Sequence, residues 1–243
     1  MILSVVMLVT SCQEGYEIVN EPDENTAFSS NDSIADLILK VSLKDGSFDN
    51  LIDNCSAISI RFPYTVQVRS ELISLSSIED LENFKQEYSH LRNAINIQYP
   101  VTATLSDYSV TVLSNKGDLQ RIQNQYNNHI EDDDIECIDF IYPLELNLYD
   151  TDFQKPDFIR VMNDRELHGI LKTMNDLIIE ISYPILMEIA DGTRVSVQNN
   201  KELENEIRNA MGTCDEGDEI EIAAGEYESG SFNDTGTRKP NTI

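Results

Sequence analysis

The sequence predicts an α+β fold of four strand–strand–helix repeats, paired into two similar domains. Each domain is expected to form a four-stranded antiparallel sheet with two helices on one face. Three observations predict this: a hexapeptide pattern that recurs four times, alternating apolar residues around it, and a helix-start signal downstream of each copy.

The hexapeptides occupy residues 58–63, 95–100, 138–143 and 179–184, reading Ile, any, Ile or Phe, any, Phe or Tyr, Pro. Their prolines lie 37, 43 and 41 residues apart. In the first copy Ile58, Ile60, Phe62, Tyr64, Val66 and Val68 alternate with polar positions; in the fourth, Ile179, Ile181, Tyr183, Ile185, Met187 and Ile189 do so. Strict period-2 alternation marks a half-buried strand. The proline falls on the polar face and removes a ladder donor, so a bulge or an edge is expected there. The aromatic before each proline reads as core rather than as a stacking platform for a ligand.

A turn and a second strand follow. The turn is clearest at Ala190-Asp191-Gly192-Thr193, where Asp-Gly suits a tight hairpin. The second strands carry Ile73 and Leu75, Val110 and Val112, Ile159 and Val161, and Val195 and Val197. The third hairpin, at 149–158, is longer and contains Lys155-Pro156-Asp157.

Each repeat then places a capping side chain three residues before an acid: Ser77 and Asp80, Asn115 and Asp118, Asn163 and Glu166, Asn199 and Glu202. The cap accepts from an otherwise orphaned N–H, and the acid faces the positive end of the helix. Leu81, Leu119, Leu167 and Leu203 follow the acids. Helical spacing continues through Phe84, Tyr88 and Leu91, and through Ile170, Met174 and Leu177.

Ahead of the repeats, Ile34, Leu37, Ile38 and Val41 mark a short amphipathic helix. The expected organisation is a signal peptide at 1–11, a flexible tether at 12–33, a helical lead-in at 34–54 and a first ββαββα domain at 55–131. An acidic linker at 132–134, a second ββαββα domain at 135–214 and an acidic, disordered tail at 215–243 complete it.

The N-terminus points to export. Residues 1–11 carry no charge, Ile2 to Val9 are apolar, and Val9-Thr10-Ser11-Cys12 follows. So short a run cannot cross a hydrocarbon core as a helix. The stretch resembles the bacterial lipobox, which implies cleavage before Cys12 and lipidation of its thiol. No Lys or Arg precedes the apolar run, so the true start is expected upstream of Met1. With the lipobox, the phrase Asp49-Asn50-Leu51-Ile52-Asp53-Asn54-Cys55 and the Pro-marked hairpins make the chain similar to a group of Bacteroidota lipoproteins. That resemblance implies a cell-envelope protein on the outer membrane, surface-exposed rather than periplasmic, and carries no activity or ligand with it.

Four cysteines are present: Cys12, Cys55, Cys137 and Cys214. Cys137 opens the second domain and Cys214 closes it, so a bridge between them is expected, with Cys55 keeping its thiol.

The chain has 243 residues and a formal charge of −27. That charge repels phosphate backbones, so no nucleic-acid partner is expected. His90, His129 and His168 lie apart from one another and from the cysteines, without zinc-ligand spacing, and read as surface or boundary residues. Asp45, Asp49 and Asp53 recur every fourth residue but lack the ordering of an EF-hand loop. Residues 215–219 hold acids that suit calcium loosely, though a solvated tail is the simpler reading, and no cofactor is expected.

No catalytic motif appears, and no catalytic, cofactor-binding or metal residue is assigned. The reading that follows is a non-catalytic binding or adhesion module, anchored to a membrane through Cys12 and engaging an unknown protein or glycan. The alternatives are an enzyme or accessory subunit with its site in a cleft between the domains, and a structural envelope component.

Overall fold

The computed structural model describes residues 22–127, 135–150, 157–173 and 177–213. It opens with strand β1 (Ala27–Ser29), helix α1 (Ser33–Val41), a 3-10 turn (Ser47–Asp49) and the single-turn α2 (Asn50–Asp53). The first two repeats give β2 (Ile58–Ile60), β3 (Tyr64–Val68), β4 (Glu71–Leu75), α3 (Ile78–Tyr88), β5 (Ile95–Ile97), β6 (Val101–Leu105), β7 (Val110–Leu113) and α4 (Lys116–Asn127). The last two give β8 (Ile138–Ile141), β9 (Leu144–Tyr149), β10 (Asp157–Val161), α5 (Asp164–Thr173), β11 (Ile178–Ile181), β12 (Ile185–Ile189), β13 (Arg194–Val197) and α6 (Asn200–Thr213). The fold is α+β, with antiparallel sheets throughout.

The sheets differ from the expected pair of four-stranded ones. Each long alternating run is cut at its proline, which cannot donate to a ladder; all four X–Pro bonds, at Pro63, Pro100, Pro143 and Pro184, are cis. The halves of each run then serve different sheets. In the first pair of repeats β2 pairs with β6 and β3 with β5, giving the orders β2-β6-β7 and β4-β3-β5. The second pair repeats the scheme as β13-β12-β8 and β1-β11-β9-β10.

The fourth strand in that last sheet corrects the described part, 22–33, of the expected tether at 12–33. β1 runs antiparallel to β11, with Phe28 opposite Ile179, and Phe28 is buried. Glu180 holds this join: its carboxylate accepts from Thr26 Oγ1 at 3.2 Å, Asn147 Nδ2 at 3.1 Å and Tyr149 Oη at 2.8 Å. The α1 stripe of Ile34, Leu37, Ile38 and Val41 is buried as its spacing predicts, yet it packs on α5 and α6 rather than leading into the first repeats. Two hydrophobic cores result. The first draws on residues 52–119; the second joins residues 28–41 to residues 135–210.

Local signals hold more closely. Ser77 Oγ accepts from Asp80 N, and the Oδ1 atoms of Asn115, Asn163 and Asn199 accept from Asp118 N, Glu166 N and Glu202 N at 2.9–3.2 Å. Each acid reaches back to the N–H four residues before it, on Ser76, Ser114, Met162 and Gln198, at 2.8 Å in every case. The four leucines behind these caps are buried. At the last hairpin Gly192 adopts φ +82°, and Thr193 N donates to Asp191 Oδ1. One strand phase is corrected: in β7 Leu113 is buried while Val110 and Val112 are exposed.

Candidate functional site

An open cavity of about 780 Å³ lies between β1, the start of α1 and the start of α6. Its wall follows from the way β1 is joined on. Asn200 Nδ2 donates to Ala27 O at 2.9 Å while Tyr183 Oη donates to Asn200 Oδ1 at 2.8 Å, so the first residue of α6 bridges β1 and the second core. Ser33 Oγ donates to Glu204 Oε1 at 3.0 Å, and Arg208 pairs with the same carboxylate; those two donors, Arg208 first, hold Glu204 below its ordinary pKa. Phe28 and Ile178 supply apolar wall, and the exposed Glu24 and Lys201 stand at the cavity with opposite charges.

A second cluster lies inside the first core. Asp49 and Asp53, read from sequence only as part of a four-residue spacing, are fully buried beside the buried Tyr64. Asp49 Oδ2 accepts from Ile60 N at 2.8 Å, capping the outer edge of β2, and Asp53 Oδ1 accepts from Cys55 N at 3.1 Å. Burial pushes the Asp49 carboxyl up to about 7, and burial together with the Asp49 charge pushes Asp53 well above the carboxylate range. Burial, then the two acids, raises Tyr64 as well. Asp45 is buried too, with Oδ1 accepting from Ser47 N, and Lys44 Nζ donates to Ser59 Oγ at 2.8 Å. The chain fits here because Gly46 lacks a side chain: a Cβ there would collide with the backbone oxygens of Ser56 and Ile58. The arrangement pins residues 44–55 against β2 through buried carboxylate oxygens that accept from backbone N–H groups.

Where the cores meet, Tyr108, at the turn between β6 and β7, packs on α5. Its ring lies 5.6 Å from the His168 ring, edge-on, and 5.3 Å from the Arg165 guanidinium. His168 is 3% exposed, which corrects its reading as a surface or boundary residue; His90 is exposed, and His129 lies outside the described residues. Burial, and then the Lys172 charge, pushes the His168 imidazole down.

No protein-family model, curated protein or solved structure matches this chain. The remaining sequence expectations meet the structure unevenly. Cys137 is disulfide-bonded and Cys55 is a buried thiol outside any disulfide, whereas Cys12 and Cys214 lie outside the described residues. So do the acids at 215–219 and residues 151–156 of the long hairpin. Among the described residues no group of three His, Cys, Asp or Glu side chains is placed to hold a metal ion, and no helix is long and apolar enough to cross a membrane. Sequence reasoning missed the cavity, whose walls come from residues far apart in the chain. It also passed over the burial of Asp49 and Asp53, for which the apolar setting of Phe48, Leu51 and Ile52 was the available signal.

Proposed function

We propose that the chain is a Bacteroidota-type envelope lipoprotein, anchored in the outer membrane through lipidated Cys12, and that its duplicated domains form a non-catalytic module binding a protein or glycan. In this reading each pair of repeats is one domain, and a Cys137–Cys214 bridge closes the second. The observation that carries the binding reading is the open cavity beside β1. Concave sites that mix apolar wall with a few placed polar groups are the usual form of ligand sites. Here Phe28 and Ile178 supply the first, and Asn25, Ser29, Lys201 and Glu204 the second.

Two experiments test the proposal. Lipid labelling of wild type and Cys12→Ala, with protease shaving of intact cells, is expected to show a label lost in the variant and cleavage from outside. An unlabelled wild type overturns the anchor, and a labelled but protected protein overturns surface display. Glycan-array and pull-down screens are then expected to yield a ligand whose binding a Glu24→Ala/Lys201→Glu double variant weakens at unchanged stability. Empty screens count against the module itself, and unaltered binding by that variant counts against the cavity.

A further inference from the structure

At the contact between the two cores lies one buried imidazole. His168 is 3% exposed, and neither Nδ1 nor Nε2 has a hydrogen-bond partner among the described residues. A buried imidazole without an acceptor is stable only uncharged. Its surroundings sharpen that demand. On its own helix Arg165 stands three residues before it and Lys172 four after, which puts all three on one helical face. Asp164, one turn back, accepts from Tyr142 Oη at 2.6 Å. The turn between β6 and β7 brings a single acid, Asp107, whose charge favours protonation of His168 but counts for less than burial and Lys172. Helix α1, also packed on α5, buries apolar residues, and its Asp36 and Lys40 pair with each other at 3.4 Å.

Tyr108 makes this face a mechanical contact as well. It sits at φ +64°, packs against both Arg165 and His168, and donates through Oη to Ser42 O at 3.1 Å. Ser42 follows α1, so one tyrosine touches the second core's helix and the strand of chain that joins the cores.

We propose that this junction is an acid-sensitive latch: protonation of His168 places a buried positive charge beside Arg165 and Lys172 and frees Tyr108, parting the cores without unfolding either. The direction follows from linkage. An imidazole depressed in the closed form favours that form fully above its ordinary pKa, and loses the preference as pH falls below it. Each pH unit below about 6.5 thus shifts the open-to-closed ratio by at most about tenfold.

Hydrogen exchange on the full chain, corrected for intrinsic rates and followed from about pH 7.5 to about pH 5.5, tests this. Protection at residues 105–110 and along the exposed side of α5 is expected to drop up to tenfold across the acid half of that range, while β3, β6, β9 and β12 stay protected. His168→Phe keeps a ring that cannot ionise and is expected to abolish the drop. Unchanged protection in wild type, or the same drop in His168→Phe, overturns the proposal. Should His168→Phe fail to fold, the surrounding charges decide: Asp107→Asn must enlarge the acid response and Lys172→Met must shrink it. No change in either, or changes of the same sign, also overturns the latch.

Discussion

The aromatic before each proline shows what a single hydroxyl does in this fold. Tyr142 Oη donates to Asp164 Oδ1 at 2.6 Å and Tyr183 Oη to Asn200 Oδ1 at 2.8 Å, so each ties its strand to the first residue of the helix that ends the same repeat. Phe62 stands at that place in the first repeat and has no hydroxyl to give. Tyr142→Phe leaves packing intact but strips a donor from a buried carboxylate, a loss of about 1.5–3 kcal/mol. Urea denaturation is expected to report that loss, and an unchanged midpoint would show the hydroxyl to be idle. Asp49 carries a prediction of opposite character. Its folded carboxyl, raised to about 7 by burial, binds a proton that the unfolded chain has released once pH passes about 4. Stability of the first core therefore falls as pH rises from about 4 to about 7. Asp49→Asn can still accept from Ile60 N and cannot ionise, so the slope should flatten in that variant. A wild-type core that gains stability across the same window would contradict the assignment.

At the scale of elements, what the sequence displays is what neighbours along the chain decide. The four caps are legible because the Ser or Asn and the acid three residues on interact within one turn, whatever the rest of the molecule does. Asn163 is the best test of them, since it is 1% exposed and bonded to Glu166 at both ends of its amide. Asn163→Ala should cost about 1 kcal/mol and up to about 2, visible in thermal unfolding and as faster exchange in the first turn of α5. The second strands are legible by alternation, except where β7 carries threonine at an inner position and valine at outer ones. Pairing is less legible. Nothing local says that Pro63 and Pro100 hand the two halves of a strand to different sheets, because the partner of β2 lies more than forty residues away at β6. β1 is only Ala27–Ser29, too short for any period to register, and its partner β11 is fixed by tertiary contact alone. His168 is a similar case: the ring packed on it, Tyr108, comes from the turn between β6 and β7, far away in the chain.

For the whole molecule the consequence is a chain that closes on itself across its own middle. Residues 28–41 leave the polar N-terminal stretch, complete the second core, and then pass at Ser42 into the first core, which lies between them and their partners in sequence. The second core can therefore finish only when segments from opposite ends of the first have met, and loop closure of that length carries an entropic cost that good packing must offset. Phe28 is the residue on which that packing turns, being 4% exposed and paired with Ile179. Phe28→Ala removes a buried aromatic worth about 3–5 kcal/mol, and the damage should fall on a core that begins more than a hundred residues downstream. Two probes separate the outcomes. Exchange protection in β9 and β11 is expected to collapse in the variant while β3 and β6 keep theirs; equal losses in both cores would mean they unfold as one unit. Loss confined to β3 and β6 would mean that the N-terminal segment serves the first core after all. An unpaired tether at 12–33 predicts no loss anywhere, so the same variant weighs the closed chain directly against the simpler arrangement of a tether followed by two independent domains.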